Sequence, residues 1–217
     1  MAKRFYNQYC GLASALDVLG DRWSLLIVRN LLLGPQRFKD LVEGLPGIGT
    51  SMLTERLKHL ESADLIARTT LPPPAGSAVY QLTDSGEELR PLLIGFSRWG
   101  LAHASVDFNE DIYVSPDLLA LGLQARFDAT AADPAVGVYA LFIDDRSYRI
   151  DITAGAVRIR AGGVDAPRAS IHTGTDTLVA LDQGSLSLAS ALDAEKVKVE
   201  GDPDAVVALA HAFGLTL

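Results

Sequence analysis

A single cysteine, Cys10, stands in a chain of 217 residues, so no intrachain disulfide can form, which suits a reducing compartment. No apolar run reaches the roughly 18–20 residues of a membrane-spanning helix. The opening residues Met1 to Gln8 lack the apolar centre of a signal peptide. A cytoplasmic protein with no membrane partner is therefore expected. The four histidines, His59, His103, His172 and His211, have no metal-ligand spacing among themselves. His172 and Asp176 read as a local hydrogen bond rather than an acid–base couple. A G-x-S-x-G nucleophile turn, a phosphate-cradling glycine loop and a dinucleotide fingerprint are all missing. With no catalytic constellation, the expectation is no enzyme, no cofactor and no metal.

What is present is enough apolar material, 48% of residues, for two small cores. The net charge of −8 is unevenly placed. Residues 1–105 hold 11 Lys/Arg against 10 Asp/Glu, whereas residues 106–217 hold 8 against 17. The acidity belongs to the second half. The first half is close to neutral, so any attraction for phosphate must come from a local patch.

The first half alternates helical and strand periodicities. Amphipathic segments run Arg22–Leu33, Arg37–Leu45 and Thr50–Ala63, with Asp21 as the expected N-cap of the first. Phe38, Leu41, Val42 and Leu45 mark an apolar stripe, and Ile48 is placed to plug the core from the Pro46–Gly49 turn. Strand-like runs follow at Ala67–Thr70 and Ala78–Leu82, around the Pro72-Pro73-Pro74-Ala75-Gly76 turn. Thr83 or Asp84 is positioned to cap a long final helix through Ala104. Before Arg22, a further helix is expected over Gly11–Leu19. Three helices followed by strand, turn and strand form the plan of a winged helix, whose third helix is shaped to enter a DNA major groove.

In that third helix Leu53, Leu57 and Leu60 recur at i, i+4 and i+7, leaving Thr50, Ser51, Thr54, Glu55 and Lys58 outward. Hydroxyls and a lysine near a helix start suit phosphate and base-edge contacts. Arg37, Lys39 and Arg68 are further candidates for phosphate. The wing tip carries prolines and no basic residue, which makes it a stiff loop and a poor minor-groove probe. Leu92, Phe96 and Trp99 on the last helix, with Leu12 and Leu16 on the first, form a candidate dimer seam.

The residues Cys10-Gly11-Leu12, Gly20-Asp21-Arg22-Trp23, Gly34, Arg37-Phe38, Leu41 and Ile48 then acquire a joint meaning. With Leu53, Arg56-Leu57, Leu60, Leu65-Ile66, Arg68, Tyr80, Leu82-Thr83, Gly86, Leu89 and Trp99-Gly100, they resemble the HxlR-type winged-helix regulators over residues 5–104. The resemblance implies a homodimeric bacterial transcription factor that sets one recognition helix per subunit into successive major grooves of a near-palindromic operator. It also makes Cys10 a candidate redox sensor, by thiolate chemistry. Two departures stand out. Gly49 and Ser51 replace a usual serine and lysine, and Val79 replaces a usual acid before the wing tyrosine.

In the second half, Asp107–Asp111 is a charged break. Ser115 then caps a helix that begins at Pro116 and continues to about Ala131. Val136–Ile143, Ser147–Thr153 and the run around Val157 and Ile159 read as an antiparallel meander. In it Tyr148, Ile150 and Ile152 alternate with Arg149 and Asp151, and Val157 and Ile159 with Arg158 and Arg160. A strand at Ala169–Thr173, two short helices within Asp176–Leu192, a strand at Lys196–Val199 and a helix from Pro203 to Phe213 follow. Ala169 to Thr175, Thr177-Leu178, Gly184 and Lys198 to Asp202 resemble SCP2 sterol-carrier-like domains. That resemblance implies a five-stranded sheet and helices enclosing an apolar tunnel.

The fold class expected is therefore α+β. An N-terminal winged helix-turn-helix (three-helix core plus β-wing, 1–105) and a linker (106–112) precede an SCP2-like α/β domain with a mostly antiparallel sheet (113–217). The function expected is a dimeric DNA-binding transcriptional regulator, modulated by a small hydrophobic ligand in the second domain. The alternative is a hydrophobic-ligand carrier whose winged helix serves mainly for dimerisation.

Overall fold

The computed structural model describes residues 5–72, 76–103 and 112–216. They fall into two compact units, Met1–Leu93 and Ile94–Leu217. The expected linker at 106–112 lies, apart from Ile112, outside the described residues, as do the wing tip at Pro73–Ala75 and the helix end at Ala104.

The first unit opens with α1 (Gly11–Leu19), α2 (Ser24–Leu31), α3 (Phe38–Glu43) and α4 (Thr50–Ser62). Next come β1 (Ile66–Thr70) and β2 (Ala78–Leu82), which pair antiparallel from Ile66 opposite Leu82 to Thr70 opposite Ala78. The apolar stripes named above converge. Ile27, Val28 and Leu31 of α2, Leu41 of α3, and Leu53, Leu57 and Leu60 of α4 are all buried, with Ile48 closing the turn between α3 and α4. Gln36 and Tyr80 exchange backbone hydrogen bonds of 2.9 and 2.8 Å, so the α2–α3 connection adds a third rung beside the two-stranded wing.

Two expectations are corrected here. Asp21 does not cap α2. The N-cap is Trp23, in the left-handed region at φ 83°, and Asp21 instead holds Arg56 of α4. The final helix is also not continuous. Thr83 caps α5 (Asp84–Glu87), accepting from the Gly86 amide at 3.1 Å, and α6 starts afresh (Arg90–His103). Pro91 explains the break, because it has no N–H to offer the Glu87 carbonyl. The boundary between the two units falls inside α6.

The second unit contains α7 (Pro116–Arg126), β3 (Gly137–Ile143), β4 (Arg146–Thr153), β5 (Ala156–Ala161) and β6 (Ala169–Thr173). It continues with α8 (Thr175–Asp182), α9 (Leu188–Asp193), β7 (Val197–Gly201) and α10 (Pro203–Ala212). Ser115 caps α7 as expected, accepting from Leu118 at 3.3 Å, but the helix stops at Arg126 and short 3₁₀ turns replace its predicted continuation to Ala131. The sheet order is β5-β4-β3-β6-β7. Only the central β3–β6 pairing is parallel; the other three are antiparallel. One face, built by Tyr139, Leu141, Ile143, Tyr148, Ile150, Ile159 and Ile171, is buried. Tyr148 locks α7 over that face by donating to the Asp117 carboxylate, and burial together with this acceptor pushes the phenol well above its ordinary pKa.

Candidate nucleic-acid interface and apolar cavity

The geometry of α4 follows from its burial pattern. With Leu53, Leu57 and Leu60 at 0–1% exposure, the helix is fixed against rolling, and Thr50, Ser51, Thr54, Glu55 and Lys58 all lie exposed along its other side. Gly49 holds the N-cap in an extended conformation without a side-chain cap, so the first amides of α4 have no side-chain acceptor of their own. The Thr54 hydroxyl donates to the Thr50 carbonyl at 2.8 Å, which leaves its oxygen as an acceptor for an incoming donor. Hydroxyls, helix-start amides and one lysine thus share a single surface.

The other candidate phosphate contacts lie at the start of α3 and on β1. Arg37 is exposed at the N-cap of α3, where its amide donates to the Asp40 carboxylate at 3.0 Å. Lys39 is exposed and pairs loosely with Glu43 at 3.3 Å, a surface pair that a phosphate can displace at little cost. Arg68 is exposed on β1 opposite Tyr80. Val79, which departs from the acid usual at this position, is 1% exposed and belongs to the core.

Sequence reasoning missed the task of Arg56. It sits on α4 but points into the protein, meeting Asp21 at 2.8 Å, and is not an outward cation. His59 likewise turns inward, its Nε2 3.0 Å from the Val18 carbonyl. Both ties hold α4 to the segments before α2. In sequence, the only signal was that Asp21 and Arg56 both belong to the motif set.

The candidate dimer residues are all exposed. On α1 they are Leu12 and Leu16; on α6, Leu92, Phe96 and Trp99 recur at i, i+4 and i+7 as one apolar stripe open to solvent. Trp99 stacks on His103 with ring centres 5.2 Å apart. The Cys10 thiol is exposed at the start of α1.

In the second unit, the buried sheet face and the helices α7 to α10 leave an apolar cavity of about 60 Å³, half open to solvent. Leu141, Ile150 and Ile171 form its floor, with Leu123, Leu181 and Phe213 on the helices. Thr173 is the one polar residue in a lining otherwise made of aliphatic and aromatic side chains. An apolar cavity of about 150 Å³ takes up benzene, so this smaller one must widen to hold a guest of that size. Arg98 donates from Nε to the Ala125 carbonyl and from a terminal nitrogen to the Phe127 carbonyl, both at 2.9 Å, and so closes the C-terminal end of α7. No group of histidine, cysteine and carboxylate side chains able to hold a metal occurs among the described residues. Nor is any helix among them long and apolar enough to cross a membrane.

A three-helix core, a two-stranded wing and a third helix with an exposed polar face define a winged helix-turn-helix DNA-binding module. Residues 18–108 match the HxlR-like helix-turn-helix family, and residues 119–214 match the SCP-2 sterol transfer family. The HTH-type transcriptional regulator YodB of Bacillus subtilis (strain 168) is 40% identical over 86 residues, 40% of this chain and 77% of that relative. The chain belongs to the HxlR-like helix-turn-helix family of transcriptional regulators and carries an SCP2-like domain after the winged helix. Among solved structures, the reduced form of YodB from B. subtilis is 35% identical, covering 45% of this chain and 97% of that one, with a TM-score of 0.40. Sterol Carrier Protein 2 Like 2 from Aedes aegypti is 22% identical, covering 44% and 93%, with a TM-score of 0.37.

Proposed function

We propose that the protein is a homodimeric regulator that reads a duplex operator through the outward face of α4, with its functional domains at 1–105 and 113–217. The observation that carries this is the fixed orientation of α4: three fully buried leucines leave Thr50, Ser51, Thr54, Glu55 and Lys58 together in solvent. Arg37, Lys39 and Arg68 supply phosphate contacts. Leu12, Leu16, Leu92, Phe96 and Trp99 form the seam between subunits. The apolar cavity takes a small hydrophobic effector, and for that effector to regulate, it must bind the DNA-competent and incompetent dimers unequally.

Fluorescence anisotropy on DNA from upstream of the protein's own gene, beside a random duplex at several salt concentrations, tests the reading. Strong preference for the upstream DNA is expected. Equal, weak binding to both sinks it and favours the carrier alternative, which the lining of the cavity supports and which lipid extraction with mass spectrometry would check. The exposed Cys10 thiol is proposed as a redox-responsive group. Identical operator affinity for wild type and Cys10→Ser, with and without oxidant, removes that assignment.

A further inference from the structure

The open face of the five-stranded sheet carries a charge pattern opposite to that of its surroundings. Pairing register places Arg160 opposite Arg149, Arg158 opposite Asp151, Ser170 opposite Glu200 and His172 opposite Lys198, all on the side away from the cavity. Of the outward residues on β3 to β7 only Ala140 is buried. Residues 106–217 hold 8 basic side chains, and four of them, Arg149, Arg158, Arg160 and Lys198, stand on this one face. Of the 17 acids there, the outward positions of the paired strands carry only Asp151 and Glu200. Asp151 bridges Arg149 at 2.7 Å and Arg160 at 2.9 Å, holding two guanidinium groups side by side, and Asp165 is near enough to act on Arg149.

An acidic domain with one basic face orients itself in the field of a polyanion. The remaining surface is repelled and this face is drawn in. The first unit, by contrast, belongs to a half that is nearly neutral, with 11 basic and 10 acidic side chains, which is a weak source of the phosphate attraction that dominates duplex affinity. We infer that the outward sheet face of the second unit is a second DNA-contact surface, which grips the phosphodiester backbone of duplex DNA beside the operator half-sites. The inference rests on the winged-helix reading for its partner. Backbone contact is favoured over single-strand stacking because the only aromatic pair on the face, Phe142 and His172, is stacked on itself at 4.3 Å with rings 4° from parallel. Each ring therefore already covers one face of the other.

The test uses full-length protein and two labelled duplexes: one trimmed to the operator half-sites, the other extended by about 10 bp of unrelated sequence on each side, roughly one helical turn. Wild type is expected to bind the extended duplex about tenfold more tightly, with a salt slope steeper by about 0.9 for each phosphate gained. Arg158→Gln/Arg160→Gln is expected to lose that gain while binding the trimmed duplex as wild type does. Lys198→Gln, at an exposed position on the opposite edge strand, provides a second variant that leaves the Asp151 bridges intact and is expected to lose part of the gain. Length-independent binding by wild type, or variants that keep the full gain, overturns the inference while leaving α4 as the reader. Absence of specific binding to either duplex overturns both. A loss confined to single-stranded oligonucleotides also overturns it, and assigns the face to unpaired strands.

Discussion

Arg56 of the recognition helix and Asp21, in the loop before α2, form an ion pair at 2.8 Å with the arginine side chain only 14% exposed. The pair binds the entrance of the helix-turn-helix to the middle of its third helix, so the angle at which α4 is presented depends on it. Without Asp21, Arg56 keeps only Glu55 at 3.4 Å; without Arg56, Asp21 is left as a half-exposed carboxylate. Arg56→Ala is expected to cost about 2 kcal/mol and Asp21→Asn about 1 kcal/mol in thermal unfolding, the smaller figure reflecting the more exposed carboxylate. No change in melting for either variant would show the pair to be ornamental.

Lys58→Ala and Arg68→Ala are each expected to weaken operator binding across sequences and to lower the salt slope by about 1. Slopes identical to wild type for Lys58 and Arg68 would remove them from the phosphate-contacting set.

Gly86 is buried within α5, and a methyl group there would sit 2.0 Å from the Leu65 carbonyl oxygen. The obstacle is backbone, not a side chain that can swing aside. Gly86→Ala is therefore expected to destabilise the first unit by about 3 kcal/mol, the upper range for overpacking. Chemical denaturation followed by tryptophan fluorescence measures it.

Leu181 is buried on α8 and lines the cavity. Leu181→Ala should cost about 3 kcal/mol and enlarge the void. Benzene is expected to raise the melting temperature of the variant and to leave wild type, with its smaller cavity of about 60 Å³, unchanged. A wild-type shift as large as the variant's would mean that the cavity already opens readily.

Three carboxylates of the second unit are held below the ordinary aspartate pKa: Asp128 by the Thr130 hydroxyl, Asp151 by Arg149, and Asp202 by the Ala205 amide. Depressed folded-state values contribute stability above the unfolded value of about 3.8, and that stability is lost as pH falls through the lower folded values. The melting temperature is expected to drop as pH is taken from about 5 to 2, and Asp202→Asn should flatten the curve. An unchanged slope in that variant would discount the N-cap of α10 as an acid-sensitive point.

Much of this was legible in the chain because periodicity is a local property. Leu53, Leu57 and Leu60 announced both the third helix and its buried side, and β6 at Ala169–Thr173 was read to the residue. What failed were decisions made by a distant partner. Asp21 looks like an N-cap when only its neighbours are considered; the structure gives its carboxylate to Arg56, thirty-five positions away. The unbroken final helix failed for a local reason that was available, Pro91. The alternation of Arg149, Asp151, Arg158 and Arg160 was visible as strand pattern, but the pairing that gathers them on one face depends on register, which no single strand encodes.

The central strand β3 has neighbours of two kinds. Its partner β4 follows at once, through the Asp144–Asp145 turn, whereas the parallel partner β6 arrives only after β5 and a further loop. During synthesis the β3–β4–β5 meander can close by itself, with one flank of β3 still unpaired and its apolar face uncovered. That flank is a sticky edge, and the sheet remains prone to wrong pairings until β6 docks against it.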